Sequence, residues 1–227
     1  MTASATCDGG ATGLDPGRDC PICPRLVAFR LRNRAAQPEW HNAPVPAFGP
    51  LDARLLVVGL APGLKGANRT GRPFTGDYAG DLLYPTLRRF GFARGNYGQR
   101  QDDGFELLDC RVSNAVRCVP PENKPLPAEI NACRGFLVEE IAAMPRLAVI
   151  LALGAVAHGS VLAALEHRRA AWPFRHGARY RLPGGLLLAD SYHCSRYNTN
   201  TGRLTTEMFE AVVGAIRAEL GQPSPVA

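Results

Sequence analysis

Residues 55–77 read LLVVGLAPGLKGANRTGRPFTGD. The stretch opens with four apolar residues in a row, Leu55-Leu56-Val57-Val58, closed by Gly59. Such a run, ended by glycine, fits a strand covered on both faces, as in a parallel sheet. Beyond it Gly63, Gly66 and Gly71 break the pattern, and Pro62 and Pro73 stiffen it. Glycine lets backbone approach a ligand closely and turn where φ is positive. The loop leaves through Phe74-Thr75-Gly76-Asp77 into a helix-like segment, Tyr78–Phe90. In open α/β sheets, ligands bind beyond the carboxyl end of a strand, where such a loop sits. Neither of the two common phosphate-binding glycine patterns is present, and Lys65 lacks the following Ser or Thr. Taken alone, the loop is equally a tight structural connection. Phe74 and Asp77 give it chemistry: a ring can stack on a planar base, and a carboxylate can activate water or stabilise a cation.

Around this stretch the chain alternates strand-like and helix-like segments. Phe105–Val116 reads as a strand or strand pair ending near Ser113-Asn114. Pro127–Met144 reads as a helix with proline at its start. Leu147–Leu153 is a second fully apolar strand, followed by the helix Ala155–Arg168. Trp172–Leu182 is mixed and basic, and Leu186–Ala189 is a short strand. A polar stretch, Asp190–Gly202, follows it, and Arg203–Leu220 closes as an amphipathic helix. Ala93–Gly104 reads as a polar loop. The sum is a three-layer α/β/α domain with a mainly parallel sheet of about four strands. The polar loops after Leu60, Val112 and Ala189 should gather at one sheet edge. The expected organisation is a disordered tail over 1–16, one domain over 17–220 and a short tail over 221–227.

The 227 residues suffice for a real core, and 46% hydrophobic with 20% charged residues is a globular composition. No apolar run reaches the roughly 20 residues that span a membrane, and the N-terminus lacks a secretory pattern, so a cytoplasmic location is expected; a monomer is expected as well. The formal charge of +6 is compatible with a polyanionic partner. Lys65 and Lys124 are the only lysines; the rest of the positive charge is arginine.

The seven cysteines suggest metal or redox chemistry sooner than disulfides in a cytosolic chain. Cys20-Pro21-Ile22-Cys23 needs a partner pair, and Cys118 with Cys133 are the best candidates. Four thiolates can hold either a structural zinc or an iron–sulfur cluster, and spacing alone does not separate the two.

Three motifs carry a resemblance: GLAPGLKGANRTGRPFTGD from Gly59, SNAVRC from Ser113, and HCSRYNTNTGRLT from His193. Together they resemble the family 5 (B-type) uracil-DNA glycosylases, from Cys20 to about Leu220. The resemblance implies an enzyme that flips a damaged base out of DNA and cleaves its N-glycosidic bond. It implies a [4Fe–4S] cluster on Cys20, Cys23, Cys118 and Cys133. Phe74 would stack on the flipped base, and Gly59, Leu60 and Asn114 would contact it. His193 would donate to the departing base, and Asp77 would stabilise the sugar cation or orient water while also suiting a helix N-cap. Related families place an acid or amide one or two positions after the strand glycine. Here Leu60 and Ala61 stand there, which shifts the chemical burden toward Asp77 and implies a permissive pocket for uracil, hypoxanthine and xanthine. Arg196, Tyr197 and Asn198 would fill the gap left by the flipped base, and Arg69 and Arg72 would meet phosphates. The partner would be double-stranded DNA carrying uracil or other deaminated bases, with single-stranded DNA a second candidate. No lysine stands out as a Schiff-base nucleophile, so an abasic site without strand cleavage is expected. The competing readings are a nucleotide-binding α/β protein and a non-enzymatic DNA-binding module with a Cys₄ zinc site.

Overall fold

The apolar run at residues 55–58 lies in the middle of the sheet. The structure, a computed structural model, describes residues 13–221. Helix α1 (Pro24–Ala36) precedes strand β1 (Leu55–Gly59). Next come the single-turn helix α2 (Ala67–Thr70) and helix α3 (Tyr78–Arg89), which runs through Pro85. A small antiparallel pair follows, β2 (Ala93–Arg94) with β3 (Glu106–Leu107). Then come β4 (Cys110–Asn114), α4 (Pro127–Ala142), β5 (Val149–Leu153) and α5 (Ala155–Ala164). The chain ends through β6 (Arg179–Arg181), β7 (Leu187–Ser191), α6 (Arg196–Asn200) and α7 (Thr206–Glu219).

The sheet order is β4-β1-β5-β7-β6. The first four strands are parallel, and β6 adds an antiparallel edge. The sheet thus has five strands; the fifth comes from the basic Trp172–Leu182 segment, whose Arg179 and Arg181 are exposed, as an edge strand allows. Every residue of the four parallel strands is buried.

Successive side chains point to opposite faces. Leu55 and Val57 pack toward Leu83 and Leu87 of α3 and Phe209 and Ile216 of α7. Leu56 and Val58 pack toward Leu137 of α4 and Val161 and Leu162 of α5. That alternation makes the three layers, and each fully buried Leu or Val contributes about 1.5–3 kcal/mol of transfer free energy. The helix after β1 covers one face, and the helices around β5 cover the other. The chain therefore changes direction between β1 and β5, and this is the crevice where doubly wound sheets bind ligands. Register sets Gly59 beside Asn114 at its carboxyl edge.

Of the tail expected over 1–16, residues 1–12 lie outside the described residues, as does 222–227 of the closing tail. Asp15 is tied in: its Oδ1 accepts from the Ala47 amide at 3.1 Å and from Arg117 Nη1 at 2.8 Å. Among the described residues no helix is long and apolar enough to cross a membrane.

Candidate active site

The carboxyl edge of the sheet opens into a cleft of about 850 Å³. Its walls come from the loop after β1 (Leu60–Ala67), the Phe74–Ala79 turn, Asn114 at the end of β4, the Leu153–Val156 segment, and His193, Ser195 and Arg196 after β7. Asn123, between β4 and α4, completes it.

Gly59 permits the closest approach. A Cβ there would stand 2.5 Å from Asn114 Oδ1 and would overlap the Phe74 ring. Any side chain at 59 would therefore displace both groups. The missing side chains of Gly63 and Gly66 leave room for Asp77, whose Oδ2 lies against both positions.

Phe74 adopts φ +50°, the left-handed region that non-glycine residues rarely enter. Its ring stacks on His193, with centroids 5.8 Å apart and planes 28° from parallel. Asp77 caps α3, its Oδ1 accepting from the Ala79 amide at 3.1 Å. Burial raises the Asp77 carboxyl above its ordinary range, partly offset by the Gly80 and Ala79 amides. Oδ2 makes no hydrogen bond to a described residue. The cap expected of Asp77 is therefore present and occupies only one of its oxygens.

Asn114 is 3% exposed, and its Oδ1 has no hydrogen-bond partner among the described residues. A buried amide without a partner requires an explanation, and a ligand in the cleft supplies one. The His193 ring lines the cleft while the protein packs around it. Burial pushes its pKa down to about 4, so the imidazole is neutral at neutral pH, with one donor and one acceptor.

At the cleft mouth, Ser195 caps the short helix α6, which carries the residues expected to enter DNA. Tyr197 is 71% exposed, and the Arg196 guanidinium stands 5.4 Å over the Tyr78 ring. Asn198 turns inward: its Nδ2 donates to the His193 carbonyl at 2.8 Å, fixing the backbone that carries the imidazole. Arg69 is exposed, with Nε on the Lys65 carbonyl at 2.9 Å. Lys65 itself lines the cleft. The phosphate contact expected of Arg72 does not hold. Arg72 is 3% exposed, and its two terminal nitrogens bind the Asp103 carboxylate at 2.8 and 2.7 Å. A guanidinium fully engaged with a buried carboxylate is not available to DNA.

Sequence reasoning missed Tyr78, Asn123 and Gly154 as cleft residues. Only Gly154 carried a signal, since a glycine directly after an apolar strand marks the same kind of turn as Gly59. The others depend on tertiary proximity.

Cys20, Cys23, Cys118 and Cys133 line one small apolar pocket with Leu26, Val116 and Phe136. The Arg117 amide donates to Cys133 Sγ at 3.3 Å, and Arg30 Nη1 lies 3.8 Å from Cys118 Sγ. Burial and the neighbouring Cys133 push the Cys23 thiol up to about 11 and Cys118 to about 12. Among the described residues, no group of three or more His, Cys, Asp or Glu side chains is arranged to hold a metal ion. Ala61 packs against this cysteine nest and also lines the cleft, so the two sites share a wall.

The model of the uracil DNA glycosylase superfamily matches residues 46–217. A type-5 uracil-DNA glycosylase of Thermus thermophilus is 49% identical over 86% of this chain and 90% of its own length. One from Pyrobaculum aerophilum is 41% identical over 89% of this chain and 90% of its own. A type-4 uracil-DNA glycosylase of Thermotoga maritima is 40% identical over 58% of this chain and 62% of its own. A superfamily match over most of the chain, with relatives this similar over nearly their whole length, places the protein: it belongs to the uracil-DNA glycosylase superfamily and, within it, to the type-5 branch.

Proposed function

We propose that this chain is a monofunctional DNA glycosylase of base excision repair that hydrolyses the N-glycosidic bond of uracil, and also of hypoxanthine and xanthine. The observation that carries the reading is the unpartnered amide of Asn114 in a cleft that also holds Phe74, His193 and Asp77. The substrate is duplex DNA, single-stranded DNA being a second candidate, and the protein acts as a monomer. Flipping a nucleotide out of the stack costs a few kcal/mol, least at a mispair. Phe74 receives the flipped base on its face, and the Asn114 amide meets its hydrogen-bonding edge with donor and acceptor together. As the bond from C1′ to the base nitrogen breaks, its electron pair moves onto the base. Neutral His193 donates to the carbonyl oxygen where that charge collects. The sugar is left as an oxocarbenium-like cation. Asp77 Oδ2 stabilises this cation and orients the water whose oxygen bonds to C1′, the released proton passing to solvent. Leu60 and Ala61 offer no polar group that could discriminate one base edge from another, and the cleft has room for a purine. Arg196 and Tyr197 face the duplex. Arg69 meets a phosphate.

Cys20, Cys23, Cys118 and Cys133 fit a [4Fe–4S] cluster. Such a cluster is ligated at its corners, so its thiolates surround a volume, and these four thiols line one pocket. The Arg117 and Arg30 N–H groups aimed at sulfur suit thiolates. When bound, the cluster supplies a cross-link between the N-terminal segment and the β4–α4 region; the reaction uses the cleft residues. Purified protein should be brown and contain iron.

The test is incubation of duplex DNA bearing one uracil or one hypoxanthine, followed by hot alkali to cut abasic sites. Cleavage of both lesions is expected only after alkali, and Asp77→Ala should lower the single-turnover rate by about 10²–10⁴-fold with the fold intact. Strand cutting without alkali would instead implicate Lys65 as a nucleophile. No abasic product from folded, iron-loaded protein would overturn the reading.

A further inference from the structure

The turn that carries Phe74 is held from outside by groups that the reaction itself does not require. Three consecutive carbonyls each accept a side-chain hydroxyl from a different place in the chain. Pro73 O takes the Tyr84 hydroxyl, Phe74 O takes the Tyr97 hydroxyl at 3.0 Å, and Thr75 O takes Thr70 Oγ1 at 3.0 Å. Tyr97 does more than accompany the others. The same hydroxyl that donates to Phe74 O accepts from the Gly76 amide at 3.3 Å, so it ties the carbonyl of the strained residue to the amide two residues on, across Thr75. A non-glycine residue in the left-handed region persists only where its surroundings over-determine it.

Tyr97 belongs to the Ala93–Gly104 segment, which the sequence presents as an ordinary polar loop. Asp103 folds that segment back on itself, accepting from the Gly98 amide at 2.8 Å and the Phe105 amide at 3.0 Å. It also binds Arg72 through both carboxylate oxygens. Arg72 in turn donates through Nε to Thr75 Oγ1 at 2.8 Å, and its guanidinium lies 5.7 Å over the Tyr97 ring. One buried ion pair therefore joins the loop that offers the hydroxyl to the turn that receives it.

We propose that Tyr97, locked in place by the Arg72–Asp103 pair, is a positioning residue that holds the Phe74 turn and thereby sets the stacking ring and the Asp77 carboxylate at the cleft. This rests on the reading of Phe74 and Asp77 as working groups. Burial keeps the Tyr97 phenol protonated, with its pKa pushed up to about 12, so the bridge persists at every working pH.

Tyr97→Phe removes the hydroxyl and little else. With saturating enzyme, its single-turnover rate constant on uracil DNA should fall ten- to hundredfold, with affinity for undamaged duplex unchanged. In the DNA-free protein, hydrogen exchange of the Gly76 amide should accelerate at least tenfold while amides of β1 and β5 keep wild-type protection. The proposal is overturned by a wild-type rate, by an unchanged Gly76 amide, or by exchange that accelerates throughout the sheet, which would mark a general loss of stability. Inactive wild-type protein would sink the glycosylase reading instead, and the exchange comparison would then decide alone whether Tyr97 holds the turn.

Discussion

Ser113 and Asn114 are neighbours on β4 and lead opposite lives. Ser113 points to the sheet face covered by α4, where its hydroxyl donates to Glu140 Oε2 at 2.7 Å. Glu140 is 0% exposed and also accepts from Arg111 Nε at 2.7 Å and Arg117 Nη2 at 2.6 Å. Every carboxylate oxygen there has a charged or hydroxyl partner. One residue further on, the Asn114 amide faces the cleft with its oxygen unpartnered among the described residues. Asp77 and His193, both half-buried, line the same cleft. A buried polar group left unpaired costs about 1–3 kcal/mol. Along β4 this cost falls on the residue at the cleft and on none of those at its back.

Substitutions on the two sides should therefore fail in different ways. The larger effect belongs to the back. Glu140→Ala leaves Arg111 and Arg117 buried without their shared partner, and breaking such a network costs about 3–5 kcal/mol. Denaturant unfolding should report that loss; a change below about 1 kcal/mol would mean the arginines find other partners and the contrast is drawn too sharply. Asn114→Ala should do the opposite. Stability should stay unchanged or rise slightly, because an unsatisfied group is removed. The single-turnover rate on uracil DNA should fall about ten- to hundredfold, or roughly 1.4–2.7 kcal/mol of barrier. A loss of stability comparable to that of Glu140→Ala would break the comparison, since Asn114 would then belong to the structural side.

The front of the molecule was largely legible in the sequence, because its residues sit on local signals. The apolar runs at 55–58 and 149–153 announced parallel strands. Asn114 ends β4, His193 lies two residues past β7, and Phe74 and Asp77 close the glycine loop that leaves β1; the sheet brings those strand ends together. The four spaced cysteines likewise converge on one pocket. The back was not legible. Arg72 sits in a glycine loop beside Arg69, and nothing local separates the one that stays exposed from the one that closes on Asp103, thirty-one residues away. Tyr97 lies in a stretch with no periodicity, and the edge strand β6 lies in a segment too short and too basic to announce itself. Long-range polar pairing leaves no period or spacing for a single sequence to display.

The smallest effect separates the two sides by pH. His193 is the front residue whose charge state the protein most alters: burial alone depresses its pKa from the ordinary 6.5 to about 4. The unfolded chain takes up a proton there as pH falls below 6.5, while the native state refuses it until about 4. The unfolded state thus binds more protons across that window, so His193 makes stability fall as pH drops from 6.5 toward 4, and adds no further loss below. His193→Gln should flatten the decline in melting temperature between pH 7 and 5 relative to wild type, while leaving the fold intact. The same depression keeps the imidazole neutral throughout that range, so cleavage by wild-type protein should show no inflection near pH 6.5 due to His193. An undiminished stability slope in His193→Gln, with an activity inflection near 6.5 that the substitution removes, would mean that His193 titrates as an exposed histidine. Its ring would then be hydrated in the free protein, and the donor of the proposed reaction would be a mixture of imidazole and imidazolium near neutral pH.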